Sequence, residues 1–364
     1  MRKWLTDKFI DKEFYAPFVI DKDNEYYINL ASKYSHLIEK AKANHADEDT
    51  LKEIKKYTDK VLTAIRLYYH GNVISFHQII HNLVKGCIDD TLAVDSIEKS
   101  YAFLGETGSE IQFFRGRIST SSIPFKAQDM LYLTKELRGF SDSYRFSIPG
   151  VPCLYLGNSS YACWLELGRP ADHDFVVSPV LLDNKQRIMN LAVMNRDYHA
   201  LNEMEETRVR TWLKLLILMI ATSYRIKDNN RKFKSEYIVS QSIMLACSRL
   251  GLDGVAYYSK RVDDDAFSQA AINLALFVKY QTVKSKKSLI DAHIKIDDST
   301  NYQMFRQLKW SEEYSYPLRC LKIGTSNRIG NYNHQYDYKE TEFCRFDQFL
   351  FSEWKDKENK EFGI

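Results

Sequence analysis

No proline interrupts this chain from Val19 until Pro124, and most of that stretch is patterned as helix. Proline removes a backbone donor and ends helices, so a long run without it leaves room for several unbroken ones. Over residues 49–69, Leu51, Ile54, Tyr57, Val61, Leu62, Ile65 and Tyr69 recur at spacings of three and four, which makes one apolar stripe on a helix. Val73, Ile74, Phe76, Ile79, Ile80 and Leu83 continue the pattern over residues 72–84. Residues from about 24 to 96 are therefore expected to form a helical module. Gly105-Glu-Thr-Gly108 reads as its end.

Beyond that point the pattern changes to short apolar runs bounded by turn residues. Strands are expected over 111–118, 151–156, 174–182, 255–258 and 274–280, and longer helices over 203–225 and 235–250. Gly251 would stop the second of these helices. Ser159 or Ser160 would cap a helix carrying Cys163 to Leu167. The expected class is α+β, with a helical N-terminal module (1–108), a mixed α/β domain (109–285) and a C-terminal extension (286–364) of no assigned role. That extension follows the lysines 284, 286 and 287 and is polar and aromatic, with Tyr302, Phe305, Trp310, Tyr314, Tyr316, Tyr332, Tyr336 and Tyr338.

The 364 residues, 45% of them hydrophobic, can fill one large domain or two. A net charge of +3 neither demands nor excludes nucleic acid. The six cysteines form no C-x-x-C pair and most sit in apolar runs, which fits reduced thiols inside a cell. The longest apolar run, 212–224, is too short to span a bilayer and contains Lys214, so it reads as a buried core helix. The N-terminal residues lack the apolar core of a signal peptide. A soluble, cytoplasmic protein without membrane association is expected.

Chemistry-bearing residues concentrate in a few segments. Phe113-Phe114-Arg115-Gly116-Arg117 sets two arginines on an expected strand. Arg145-Phe-Ser-Ile-Pro-Gly leads into Cys153-Leu-Tyr155-Leu-Gly and then Cys163-Trp-Leu-Glu166. Gly251-Leu-Asp-Gly-Val-Ala-Tyr-Tyr-Ser259 and Asn273-Leu-Ala-Leu-Phe277 follow. A guanidinium offers a planar donor fork for phosphate oxygens. A tyrosine can stack on a flat heterocycle, or serve as core. A carboxylate can accept from sugar hydroxyls and stabilise an oxocarbenium-like transition state. Glu166 stands among Cys163, Trp164, Leu165 and Leu167, where a carboxylate is costly unless satisfied, so either an arginine partner or a functional role is expected. Together the set suits breaking a dinucleotide glycosidic bond, and the chain lacks the Gly-x-Gly-x-x-Gly turn of hydride-transfer folds.

Other motifs read as structural. His77-Gln-Ile-Ile-His81 puts two imidazoles on one helix face, but Gln78 stands where zinc-protease helices need glutamate, and no metal is expected. Asp263-Asp-Asp265 reads as a solvated loop.

These motifs, over roughly 110–280, resemble the RES family, which is named for its arginine, glutamate and serine and belongs with ADP-ribosyltransferase-like folds. The helical segment before them is similar to HEPN-like modules that precede such domains, although Arg66-Leu-Tyr-Tyr-His70 is one residue short of the HEPN nuclease spacing. The resemblance implies NAD as substrate, with no cofactor required, and a toxin that depletes NAD by phosphorolysis or hydrolysis under the control of an antitoxin protein. By the same resemblance, Arg115 and Arg145 hold pyrophosphate or incoming phosphate, Arg117 is a further substrate-binding candidate, Tyr155 packs on the nicotinamide side, and Glu166 binds the nicotinamide ribose and stabilises its cationic transition state. Ser259 is the family serine, with Ser240 and Ser242 as competitors, and Asn273 either contacts substrate or caps its strand. Gly116 departs from the family, in which an aromatic or aliphatic residue often follows the arginine. An ADP-ribosyltransferase acting on protein or nucleic acid, a non-enzymatic nucleotide-binding protein, and assembly into homo-oligomers remain open at this level.

Overall fold

The computed structural model describes residues 5, 9, 12–96, 110–120, 124–183, 185–192, 203–228, 231–262, 271–280, 288–308, 328–331 and 334–361. The expected break at Gly105–Gly108, the aspartates 263–265, the lysines 284–287, Trp310, Tyr314 and Tyr316 lie outside these residues. In chain order, strand β1 (Phe18–Ile20) leads into helices α1 (Glu25–Ala43), α2 (Glu48–Tyr69) and α3 (Val73–Lys85), followed by β2 (Val94–Ser96). Strands β3 (Glu110–Ile118) and β4 (Cys153–Gly157), helix α4 (Ser160–Glu166), and strands β5 (Phe175–Asp183) and β6 (Arg187–Asn190) come next. Helix α5 (Glu206–Ala221), strand β7 (Tyr224–Ile226), helix α6 (Ile238–Arg249), and strands β8 (Gly254–Tyr258) and β9 (Ile272–Phe277) follow. The C-terminal part supplies β10 (Ile294–Ile296), β11 (Thr300–Asn301), α7 (Tyr302–Gln307) and α8 (Glu342–Glu361). The fold is α+β.

Two compact units alternate along this sequence. The first gathers Met1–Asp95, Ser143–Ile148 and Arg187–Val255, and the second gathers Ser96–Asp142, Pro149–Gln186 and Ala256–Ile364. Residues 187–255 cluster with the N-terminal helices, and the C-terminal extension clusters with the strands that carry Arg115 and Tyr155.

In the first unit the apolar stripes are buried along their middles, while Tyr69, Val73 and Ile74 at their ends are exposed. Tyr26, Leu30, Tyr34 and Leu37 of α1, Ile54, Val61 and Ile65 of α2, and Phe76, Ile80 and Leu83 of α3 are buried. The apolar run over 212–224 becomes α5, a core helix buried along nearly its whole length. Its own backbone takes the hydroxyls of α1: Tyr26 donates to the Ala221 carbonyl at 2.9 Å and Tyr34 to that of Ile217 at 2.8 Å. Lys214, the one charge in the run, reaches out to the Gly86 carbonyl at 3.1 Å. Among the described residues no helix is long and apolar enough to cross a membrane. Gly251, with φ of +78°, adopts the left-handed conformation that ends α6. His77 and Ser242 join α3 to α6 through Nδ1 and Oγ at 2.7 Å.

In the second unit a sheet runs in the order β10, β5, β3, β4, β9 and then the last residues of β8, with β11 also paired to β5. The pairs β10–β5, β5–β3, β3–β4 and β4–β9 are antiparallel. Helix α4 and helix α8 pack on one face of it. Phe114, Cys163, Phe175 and Val177 form a core there with Tyr302, Phe305, Phe346, Leu350, Phe351 and Trp354. Tyr302, Phe305, Phe346, Phe351 and Trp354 of the C-terminal extension are thus a layer of this core.

Candidate active site

The local sequence fixes α4 tightly at its start. Ser159 is extended, with φ of −154°, and its hydroxyl accepts from the Ala162 amide at 3.0 Å, as a capping serine should. Asn158, fully buried, locks the preceding turn to β9: its amide donates to the Ile272 carbonyl at 3.0 Å, and its Oδ1 accepts from the Ile272 amide at 3.1 Å. Helix and sheet approach closely because two glycines lie beneath Cys163. A Cβ on Gly116 would stand 2.7 Å from the Cβ of Cys163, and one on Gly157 would stand 2.9 Å from its sulfur. That contact accounts for the departure at Gly116, where a larger residue has no room. Burial pushes the Cys163 thiol up to about 12, and it donates to the Phe114 carbonyl at 3.3 Å.

Glu166 is the last residue of α4 and is partly buried. Its Oε1 accepts from the Ser259 hydroxyl at 2.7 Å and from the Asn273 side-chain amide at 2.6 Å. The Ser259 oxygen in turn accepts from the Arg261 amide at 3.1 Å, so its single proton is directed at the carboxylate. Ser259 and Asn273 are themselves buried, at the end of β8 and the start of β9. The Ser259 amide donates to the Ala271 carbonyl at 2.8 Å, which ties the two strands together at this level. Among the described residues, Oε2 of Glu166 takes no hydrogen bond. Three residues separated widely in sequence therefore meet on one carboxylate, and its partners are a serine and an asparagine instead of the arginine that burial alone led one to consider.

Tyr155 shares a sheet face with this group. Register pairs Gly157 with Asn273 and Tyr155 with Ala275, and alternate residues of a strand share a side. Arg115 and Arg117 belong to the opposite face, because Phe114 pairs with Gly157 and Gly116 lies under Cys163. Both donate to backbone. Arg115 reaches the carbonyls of Met130 at 3.3 Å and Tyr155 at 2.8 Å, and Arg117 reaches that of Leu131 at 3.0 Å. Arg145 lies in the first unit, 9% exposed. Its guanidinium donates to the carbonyls of Thr222 at 2.7 Å and Tyr224 at 2.9 Å and sits 4.9 Å from the centre of the Tyr237 ring. Of the competing serines, Ser242 bonds His77 and Ser240 is buried on α6, so Ser259 is the one that engages Glu166.

Two contributors escape a reading of the sequence. Asn158 looks like any turn residue. Asp347, in the C-terminal extension, accepts from the first amide of α4 at 3.0 Å. Neither carries a local signal, since each acts through a partner more than a hundred residues away.

A helix-borne carboxylate fixed by side chains at the ends of two neighbouring strands is the candidate active site of this α+β protein. The family model described as "RES domain" matches residues 123–295 of the chain. Arg115 and Arg117 precede the matched segment and α8 follows it. The chain is 26% identical over 327 residues to the Bacillus subtilis (strain 168) protein described as "Putative toxin YopC", covering 84% of this chain and 70% of that one. A solved chain from the M. tuberculosis MbcT-MbcA toxin-antitoxin complex is similar at 12% identity and a TM-score of 0.31, over 62% of this chain and 97% of that one.

Proposed function

We propose that the chain is a RES-type toxin that cleaves the nicotinamide–ribose bond of NAD, with phosphate or water as acceptor, and arrests growth by depleting NAD. The observation that carries this reading is the fixed carboxylate of Glu166, held through Oε1 by Ser259 and Asn273. A carboxylate held so cannot swing away as charge develops, and in this reading the oxygen left over is the one that meets a cationic ribose. Electrostatic stabilisation by pre-oriented groups is among the largest single contributions an enzyme makes. The RES match over 123–295 supports the same substrate class. Tyr155, on the same sheet face, is the aromatic candidate for the nicotinamide side. Arg115 enters as the residue that holds β4 in place through the Tyr155 carbonyl. Arg145 enters through the end of α5, which it fixes. An antitoxin protein that silences the enzyme in the cell belongs to the same reading.

The test is nicotinamide release from NAD by purified protein, with and without phosphate, with products separated by chromatography. Free ADP-ribose identifies hydrolysis, and a phosphorylated ADP-ribose formed only with phosphate identifies phosphorolysis. Glu166→Gln keeps the shape and the two donors' reach but removes the charge, and should lower kcat by about 100-fold or more. Wild-type turnover in a folded Glu166→Gln protein would sink the mechanism. Nicotinamide release accompanied by label on a macromolecule would replace it with an ADP-ribosyltransferase.

A further inference from the structure

The RES match ends at residue 295, yet the helix that carries Glu166 is held from beyond it. Asp347 on α8 is fully buried. One of its oxygens accepts from the Ser160 amide at 3.0 Å, and the other takes the Tyr338 hydroxyl at 2.5 Å. The Ser160 hydroxyl reaches the Phe343 carbonyl at 3.5 Å. The ring of Phe343 lies 5.4 Å from that of Tyr161 and 5.5 Å from that of Trp164, both on α4. Cys163 completes the contact by packing in one cluster with Phe346 and Phe351.

Apolar packing alone would have sufficed to cover α4. A buried carboxylate adds direction, because its desolvation is tolerated only while its hydrogen bonds are made. The amides of a helix's first turn have no partner within the helix. Here Ser159 takes that of Ala162 and Asp347 takes that of Ser160. The helix is short, so an error at its first turn carries directly to Glu166 at its last residue.

We propose that Asp347 is a positioning residue for the reaction: from α8 it pins the first turn of α4 and so fixes the direction in which Glu166 presents its open oxygen. This inference rests on the reading of Glu166 as the catalytic carboxylate. The segment 338–354 is then part of the enzyme's working unit, although it lies outside the matched domain.

The experiment compares full-length wild type, Asp347→Ala, Asp347→Asn and Tyr338→Phe. Two readouts are taken: steady-state nicotinamide release from NAD, and hydrogen exchange at the amides of residues 160–166. Asparagine keeps an acceptor for the Ser160 amide and alanine does not. Asp347→Ala should lower kcat about 30-fold with KM within about twofold of wild type, since misplacement of a reacting group acts on turnover. Exchange at residues 160–166 should rise in the same variant, and Asp347→Asn should restore both. Tyr338→Phe, which leaves the Ser160 contact, should fall between and carries the test if Asp347→Ala does not fold. Unchanged kcat in folded Asp347→Ala, or no recovery in Asp347→Asn, would overturn the proposal. If wild type releases no nicotinamide, the reading of Glu166 fails, and unchanged exchange at 160–166 in Asp347→Ala would separately overturn the pin itself.

Discussion

At Gly116 a single hydrogen atom sets the distance between helix and sheet. A methyl group there would meet the Cβ of Cys163 at 2.7 Å, the Leu167 side chain at 3.2 Å and the Phe175 ring at 3.3 Å. None of these can withdraw freely, because each belongs to the packed face that carries α4. Gly116→Ala should therefore destabilise the protein by about 1–3 kcal/mol, the usual cost of overpacking. It should also lower kcat, since α4 must move away from the sheet. Denaturant unfolding checks the first part. In a Cys163→Gly background the cost should shrink, and a simple sum of the two single effects would show that the contact is not its cause. The same scale explains which site residues could be read from sequence. Glu166 announces itself as a carboxylate among apolar neighbours, whereas Ser259 stands beside Ser240 and Ser242 as candidates and Asn273 could equally cap its strand. Asn158 and Asp347 do not announce themselves, because their surroundings are set by residues distant in the chain.

Helices and strands were legible wherever burial is one-sided. The stripes over 49–69 and 72–84 became α2 and α3 within a residue or two, Ser159 capped α4, and Gly251 ended α6. The expected helix over 203–225 stopped earlier, at Ala221, and Tyr224–Ile226 became a strand paired in parallel with β1. That pairing joins residues some two hundred positions apart, so no local pattern could report it. Arg145 makes the junction firm, with one nitrogen on the carbonyl of Thr222 and the other on that of Tyr224. Such charge-assisted bonds from a buried guanidinium are worth more than neutral ones. Arg145→Ala leaves both carbonyls without this donor and should cost about 3 kcal/mol or more, read as a fall in melting temperature. Arg145→Lys, with a single donor point in place of a fork, should recover only part of it. A melting temperature unaltered in Arg145→Ala would show that the junction is held by packing alone.

Among the described residues, one carboxyl is carried to near neutrality by its place in the fold. Burial pushes the Asp347 carboxyl up to about 7, against the pull of its hydrogen bonds from Ser160 and Tyr338. The titratable groups facing it do not change charge there: burial holds the Tyr338 hydroxyl well above its ordinary value, and the thiols of Cys163 and Cys344 are pushed up to about 12. The folded state therefore binds the Asp347 proton more tightly than the unfolded state, whose carboxyl keeps its ordinary value of 3.8. Stability from this group is fully present below about pH 4 and is lost as pH rises through about 7. Asp47, lowered by the Thr50 amide, and Asp298, lowered by Lys126, act in the opposite sense, contributing stability that disappears in acid. The falling limb of the stability curve between about pH 4 and 7 is thus assigned to Asp347. Each tenfold difference in proton affinity between the folded and unfolded chains is worth about 1.4 kcal/mol, so the limb should amount to a few kcal/mol. Asp347→Asn cannot ionise, so it should melt above wild type at pH 8 and approach it at pH 5. Melting curves at the two pH values decide the matter, because an offset between the two proteins that stays constant would remove Asp347 as the source of the limb.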